Sequence, residues 1–185
     1  MKKEELKKYF EELKYPEYFQ NEMLESVETE KDIESLYEKI KFLNKTGVPA
    51  EGIEMIINEN PLFLTTTLET VKNNINFLKN INLENIPRTL EINPELLSTS
   101  DKTMSENYKL LKILLSEKEL AYMLKIDCEI LTFNTDYFEK RLEFFIKNDL
   151  KDNIKDIILN DIEAFEDEED EIDLDELKSK YINKR

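Results

Sequence analysis

The side chains that most often perform chemistry in proteins are scarce in this sequence. It contains no histidine and a single cysteine, Cys128, so the usual general base, zinc ligands and Cys–His pair are missing. Cys128 has apolar neighbours, Ile126 and Ile130, which predicts a small buried hydrophobe and not a nucleophile. Carboxylates are abundant, but catalysis needs one with a raised pKa in a cleft, and no pattern indicates such a place. We therefore expect a protein that is not an enzyme and needs no metal, cofactor or small-molecule substrate.

The densest charge in the chain is an acidic run near its end. Its six members are Glu166, Asp167, Glu168, Glu169, Asp170 and Glu171. The run lacks the glycine and the alternating ligands of a calcium loop. Two interpretations remain: a solvated, disordered segment in which like charges repel, or a segment that docks into a basic groove of a partner. Under the second interpretation these six residues are the candidate partner-binding site.

Basic residues stand out on another part of the chain, in segments with a helical apolar period. The candidates for contact with a polyanion are Lys72, Lys102, Lys109, Lys112, Lys140 and Arg141. Acidic residues are interleaved with them, which is also the ordinary pattern of a solvated helix surface. The net charge of −16 opposes a polyanion in the long-range field and favours basic partners. Nucleic-acid binding by these six residues is therefore the alternative hypothesis.

These charged residues belong to a chain that repeats itself every 33 to 35 residues. Pro61 and Pro94 open similar stretches, and Cys128 and Ile162 follow at spacings of 34 and 34 after a first spacing of 33. Three further columns are apolar in every copy: Ile53, Ile86, Leu120 and Ile154; Ile57, Leu90, Leu124 and Ile158; Leu64, Leu97, Leu131 and Phe165. The first two columns lie four residues apart, so they share one face of a helix of about three turns that ends at the proline or its substitute.

A second helix follows each proline-led turn. The polar residues predicted as its N-caps are Thr67, Ser100 and Asn134. Pro49 suits the first turn of a first helix, and Ser116 with Glu119 has the spacing of a capping box. Only two glycines interrupt a sequence rich in helix formers. The predicted fold class is all-α, a right- or left-handed α-solenoid of about four helix-turn-helix repeats with an N-terminal helical cap.

Charge and period divide the chain into three segments. Residues 1–40 fit the period poorly and are predicted to be a helical cap, with one helix before Pro16 and a second from about Asn21. Residues 41–165 hold the repeats, and residues 166–185 are an acidic segment with room for a short helix. No run approaches the roughly 20 apolar residues of a membrane span, and the start has no signal-peptide pattern. With one cysteine, these features favour a cytoplasmic protein without membrane contact.

The stretch Gly-Val-Pro-Ala-Glu-Gly-Ile-Glu-Met-Ile-Ile-Asn-Glu-Asn-Pro-Leu-Phe-Leu from Gly47, followed by a helix that ends Asn-Phe-Leu-Lys, resembles the repeat of the mitochondrial transcription termination factor (mTERF) family. The resemblance covers roughly residues 40–165 and is strongest in the units of Pro61 and Pro94. It implies a curved stack of three-helix units, and in that family a basic concave face binds double-stranded nucleic acid. The chain departs from the family in having three arginines and a slightly negative repeat body.

Two hypotheses for function follow. The first is an acidic binding protein whose partner is a basic protein, such as a nucleic-acid enzyme or a ribonucleoprotein. A specific form is a nucleic-acid mimic that inhibits a host nuclease, as phage-encoded anti-CRISPR proteins do. The alternative is an mTERF-like, nucleic-acid-binding regulator of transcription that uses the lysines of the second helices.

Overall fold

Helices account for all of the regular structure in the residues that the computed structural model describes, 1–165 and 172–182. The α-helices are α1 Lys3–Glu12, α2 Glu17–Ser26, α3 Glu30–Thr46, α4 Ala50–Glu59, α5 Leu68–Asn80, α6 Ile86–Ile92, α7 Asp101–Leu114, α8 Glu117–Ile126, α9 Thr135–Lys147, α10 Ile154–Asn160 and α11 Leu174–Tyr181. Short 3₁₀ turns lie at Pro61–Leu64, Pro94–Leu97, Glu129–Leu131, Lys151–Asn153 and Ile162–Phe165. The prediction of an all-α fold is confirmed.

Four of these 3₁₀ turns mark the repeats. Each follows the end of a first helix, which is α4, α6, α8 or α10, and the second helices α5, α7 and α9 follow the first three turns. Pro61 and Pro94 are the first residues of their turns, because proline cannot continue the α-helix before it. Where Cys128 replaces proline, the turn begins one residue later, at Glu129. The predicted helix-turn-helix repeat is therefore present.

The apolar columns form the interior of the repeats. All eight members of the two first-helix columns are at most 8% exposed. In the third column Leu97, Leu131 and Phe165 are at most 1% exposed, whereas Leu64 is half-buried and its neighbour Phe63 is fully buried. Full burial of such a side chain contributes about 1.5–3 kcal/mol, so each repeated column adds substantially to the stability of its unit.

The five helix starts predicted within the repeats agree with the structure to within one residue. Thr67 Oγ1 accepts a hydrogen bond from Thr70 N at 3.1 Å, and Asn134 Oδ1 accepts one from Tyr137 N at 3.1 Å. Ser100 directly precedes α7. Ser116 and Glu119 form the reciprocal capping box, and Pro49 is the N-cap of α4.

Two first helices are shorter than the three turns that we predicted. Both α6 and α10 have seven residues, which is about two turns. Asn85 has a φ of 52° in the left-handed region, so a right-handed helix cannot include it and α6 begins after it. A 3₁₀ turn, Lys151–Asn153, takes the place of the first turn of α10.

The period also reaches further toward the N-terminus than predicted. Helix α2 begins at Glu17, directly after Pro16, and not near Asn21. Its buried residues Phe19 and Met23 precede Ile53 and Ile57 by 34 residues each, so α2 and α3 follow the register of a repeat. The sequence hides this repeat because α3 starts at once after Thr29, with no proline-led turn. The role of residues 1–40 as a cap stays a prediction.

Two compact parts make up the chain: an N-terminal half, residues 1–101, and a C-terminal half, residues 102–185. In the C-terminal half, α11 contacts the last repeat through its lysine and tyrosine: Lys180 forms an ion pair with Asp161, and the Tyr181 hydroxyl donates to the same carboxylate. Leu177 is 9% exposed and adds apolar contact. Among the described residues, no helix is long and apolar enough to cross a membrane.

Candidate nucleic-acid interface

Five of the six basic candidates lie on the solvent side of second helices. Lys72 is on α5, Lys102, Lys109 and Lys112 are on α7, and Lys140 is on α9, and all five are exposed. Helix α7 therefore carries most of these cations, and it lies in the C-terminal half apart from Asp101.

The three lysines of α7 are positioned by its buried face. Met104 and Leu111 are fully buried, which fixes the rotation of the helix about its axis. Lys102 and Lys109 are seven residues apart, so they lie almost one above the other on the opposite side. Lys102 Nζ is 3.8 Å from Glu106 Oε1, an exposed pair worth little in water. The ammonium groups can therefore turn toward a polyanion at small cost.

Lys72 and Lys140 do not extend this set into one continuous column. The residue one repeat after Lys72 is Ser105, and the residue one repeat before Lys140 is Glu106. Lys72 Nζ lies 5.8 Å from the centroid of the Phe42 ring in the N-terminal half. The basic surface is thus concentrated on α7 and is not repeated from unit to unit.

Arg141 does not belong to this surface, and its prediction as a nucleic-acid contact is wrong. Its side chain is 2% exposed. Nη2 donates to the Tyr137 hydroxyl at 2.5 Å, and Cζ lies 5.3 Å and 5.4 Å from the ring centroids of Tyr137 and Phe144. The guanidinium faces the interior of the C-terminal half, so it cannot reach a phosphate in solvent.

Arg141 belongs instead to a column of buried polar residues that the sequence reasoning missed. Its members, which we call the buried polar column, are Lys39 on α3, Asn74 on α5, Asn107 on α7 and Arg141 on α9. Their spacings are 35, 33 and 34 residues, which is the period of the repeat. A polar residue that recurs at the repeat period within an apolar stripe was the signal available in the sequence.

Three members of this column, Lys39, Asn74 and Asn107, donate to backbone oxygens around the next 3₁₀ turn along the chain. Lys39 Nζ donates to the carbonyls of Phe63, Leu64 and Thr66 at 2.6, 2.8 and 3.0 Å. Carbonyls at the end of a short helix have no partner within it, and burial without one is costly. Burial also lowers the pKa of Lys39 to about 8, because desolvation disfavours the ammonium form.

Asn74 and Asn107 make the same type of contact with a neutral amide. Asn74 Nδ2 donates to the carbonyls of Leu96 and Thr99 at 2.8 and 2.7 Å. Asn107 Nδ2 lies 3.2, 3.3 and 2.7 Å from three carbonyl oxygens, those of Ile130, Leu131 and Phe133. Lys39, Asn74 and Asn107 therefore join α3, α5 and α7 to the turn of the following repeat.

The cysteine has the structural role that its neighbours predicted. Cys128 is 1% exposed, and its Sγ donates to the Leu124 carbonyl oxygen at 2.8 Å. Burial raises the pKa of the thiol to about 12, so the thiolate is not formed near neutral pH. The described residues also contain no group of three or more side chains placed to hold a metal ion.

The six acidic candidates, residues 166–171, lie outside the described residues. Within the described part of the N-terminal half, acidic residues are dense on α2 and α4. The six are Glu17, Glu22, Glu25, Glu51, Glu54 and Glu59, and neither helix contains a lysine or an arginine. The Tyr18 hydroxyl donates to Glu54 and joins the two helices. We call this surface the α2–α4 acidic face.

The repeated first helix, 3₁₀ turn and second helix define a helical-repeat protein. The model of the mTERF family matches residues 2–160, which includes the N-terminal segment that we expected to fit poorly. The chain therefore belongs to the mTERF family. Comparison with curated protein sequences gives no match.

Proposed function

We propose that this protein is a non-enzymatic, nucleic-acid-binding regulator of the mTERF kind, and that α7 provides its main contact. The observation that carries the proposal is the family match over residues 2–160. This reverses the order of our two hypotheses, in which the basic protein partner came first. Lys102, Lys109 and Lys112 supply the exposed cations that phosphate contacts require.

The net charge of −16 sets the expected character of this binding. Long-range repulsion slows the approach of a polyanion, whereas the exposed lysines of α7 attract phosphates at short range. Contacts from lysines to phosphates carry no sequence information, so we expect modest affinity, little sequence preference and a steep dependence on salt.

The test is fluorescence anisotropy with labelled duplex DNA and duplex RNA, from low to physiological salt. Replacing Lys102, Lys109 and Lys112 together by Glu should abolish binding. Milder replacement by Gln should lower the salt slope by about 0.9 for each DNA phosphate that a lysine no longer neutralises. Both effects are expected because the lysines are exposed and their replacement leaves the core of α7 intact.

A matched control is available in the same half of the chain. Lys118, Lys125 and Lys151 are also exposed but lie on α8 and on the 3₁₀ turn before α10. Their replacement by Glu lowers the net charge by the same amount, so it should weaken binding far less than the α7 replacement. Equal loss in both variants would show that only total charge matters and would remove α7 as the interface.

A second candidate function is the binding of a basic protein, and the α2–α4 acidic face favours it. Five of its six carboxylates are exposed and Glu54 is half-buried. A surface with a large excess of carboxylates attracts lysine- and arginine-rich proteins over long range. In its specific form, the protein inhibits an RNA-guided nuclease by occupying the channel that normally holds nucleic acid.

The inhibitor form can be tested by DNA cleavage assays with an RNA-guided nuclease and increasing amounts of the protein. We expect dose-dependent inhibition that is lost when Glu22 and Glu25 on α2, together with Glu168 to Glu171, are replaced by Lys. Unchanged cleavage at every concentration, or inhibition that survives these replacements, argues against it.

A further inference from the structure

A half-buried aromatic ring lies beside exposed lysines in the N-terminal half. Phe42, near the end of α3, is half-buried, so part of its side chain is open to solvent. Lys72 of α5 reaches across to it, with Nζ 5.8 Å from the ring centroid. The side of α3 that carries Phe42 therefore faces α5. Lys45 follows Phe42 by three residues, so it lies on the same side of α3, and it is exposed.

Helix α5 presents a stripe of polar side chains next to this ring. Lys72, Asn76 and Lys79 are four and three residues apart, so they share one side of the helix, and all three are exposed. The contact of Lys72 with the Phe42 ring places this side toward α3. The stripe extends for about 10 Å along the helix axis. We call Phe42, Lys45 and the three residues of the stripe the Phe42 site.

The cations of the Phe42 site are not neutralised by nearby carboxylates. Among the described residues, no carboxylate forms an ion pair with Lys45 or with the two lysines of the stripe. Glu38, one turn before Phe42, pairs with Lys41 at 3.4 Å. Glu69, in the first turn of α5, is the acid nearest to the stripe along that helix. The local charge of the site is therefore positive, in a chain whose net charge is −16.

A ring, three cations and an amide on one surface match the chemistry of an unpaired nucleotide strand. An aromatic side chain that is open to solvent can stack a base, and lysines beside it bind the phosphates of the backbone. Stacking accepts every base, since each one has a flat face. In a duplex the faces of each base are covered by its neighbours, so a base must leave the stack before it can reach such a ring. The site therefore favours a single strand over a duplex.

We propose that the Phe42 site binds single-stranded RNA or DNA, with one base stacked on Phe42 and the phosphates held by Lys45, Lys72 and Lys79. An exposed contact between a lysine and a ring is weak, so the Lys72 ammonium can turn from the ring to a phosphate. The proposal rests on the nucleic-acid binding proposed above. It adds a second contact, on α3 and α5 instead of α7, and a preference for unpaired strands.

A tryptophan at the ring position provides a direct reporter. The chain contains no tryptophan, so the fluorescence of a Phe42→Trp variant comes from this site alone, and a base stacked on the indole quenches it. The probes are a uridine oligonucleotide, a thymidine oligonucleotide, and duplexes of RNA and of DNA. We expect both single strands to quench the fluorescence and neither duplex to do so. Added salt should weaken the quenching, because the lysines bind phosphates.

Further variants separate stacking from charge, with binding of the same strands measured by anisotropy. Phe42→Leu keeps an apolar side chain but removes the ring, and it should weaken single-strand binding about tenfold. Phe42→Tyr keeps the ring and should bind as the wild type does. Lys72→Gln with Lys79→Gln should lower the salt slope by about 0.7 for each phosphate released. Lys7→Gln with Lys8→Gln, exposed on α1, changes the net charge equally and should lower the slope far less.

Three results would overturn the proposal. One is unchanged tryptophan fluorescence when anisotropy shows that the single strand is bound. Another is equal quenching by duplex and single strand, and the third is equal single-strand binding by Phe42→Leu and the wild type. Duplex binding that depends on the α7 lysines would leave the proposed function standing in each case. Conversely, quenching that persists after Lys102, Lys109 and Lys112 are replaced by Gln would support the Phe42 site independently of α7.

Discussion

Lys39 shows how one residue can satisfy several backbone groups at once. Its ammonium is fully buried and reaches three carbonyl oxygens within 3.0 Å. It also lies 4.9 Å from the centroid of the Phe63 ring, a distance at which a cation and an aromatic face attract each other. Asn74 and Asn107 occupy the equivalent positions with a neutral amide, so the column requires donors and not a charge.

The titration of Lys39 provides a test of its burial. Burial lowers its pKa from 10.5 to about 8, so between these values the unfolded chain binds more protons than the folded one. Stability must then rise with pH across that window. Relative to Lys39→Asn, which keeps amide donors but does not titrate, the free energy of unfolding should rise by up to about 3 kcal/mol from pH 8 to 10.5. Urea denaturation at several pH values measures it, and a constant difference between the two proteins would contradict it.

Residues with a positive φ, in the left-handed region of backbone conformation, lie just after helices or just before them. Gly47, after α3, has a φ of 99°, and three non-glycine residues between later helices, Asn82, Asn85 and Asp149, also have positive φ. Gly47 N donates to the Asn44 and Leu43 carbonyls, so it closes α3 and allows Val48 and Pro49 to lead into α4. The left-handed residue thereby sets where the next repeat begins.

The two glycines should respond in opposite ways to alanine. Gly47→Ala should lower the free energy of unfolding by about 1–2 kcal/mol, since a Cβ disfavours the left-handed region. At Gly52, inside α4, a Cβ would lie 2.5 Å from Glu91 Oε1 and 3.1 Å from Glu91 Cγ and Cδ, so this side chain, which pairs with Arg88, has to move. Alanine gains about 1 kcal/mol of helix propensity, which offsets the cost of that movement. Gly52→Ala should therefore be neutral or stabilising by chemical denaturation. A larger loss at Gly52 than at Gly47 would contradict both arguments.

The repeat could be predicted from the sequence because its apolar columns recur at fixed spacings along the chain. Ile53 and Leu90, for example, each belong to a column that is apolar in all four copies. The sequence did not predict the buried polar column. Arg141 stands among acidic and basic neighbours, and a charged residue in such a segment is usually exposed. Its burial depends on contacts that become visible only when helices are packed. The repeat formed by α2 and α3 was missed for another reason, since no proline-led turn separates the two helices.

At the scale of the whole molecule, the net charge of −16 determines the long-range electrostatic field. Helices α2 and α4 contain six glutamates and no lysine or arginine, and Lys3 of α1 lies beside α2, where its Nζ donates to the Leu24 carbonyl. The mutual repulsion of the glutamates opposes the compact state, and salt screens it because the groups are exposed.

Salt should therefore stabilise this protein. Raising the ionic strength from about 0.01 M to about 1 M shortens the Debye length from about 30 Å to about 3 Å, and the unfolding temperature measured by circular dichroism should rise with it. A variant with Glu22→Gln and Glu25→Gln should start higher at low salt and gain less. A fall in the unfolding temperature on adding salt, in either protein, would contradict this account.

The buried polar column also has a direction along the chain. Lys39, Asn74 and Asn107 all donate to a turn that comes later in the sequence. During synthesis on the ribosome the N-terminal part emerges first, so each helix that bears donors is available before the turn that needs them. Each of these three turns can therefore dock on a donor that is already present, so the direction of these bonds suits a chain whose repeats fold one after another as they are made.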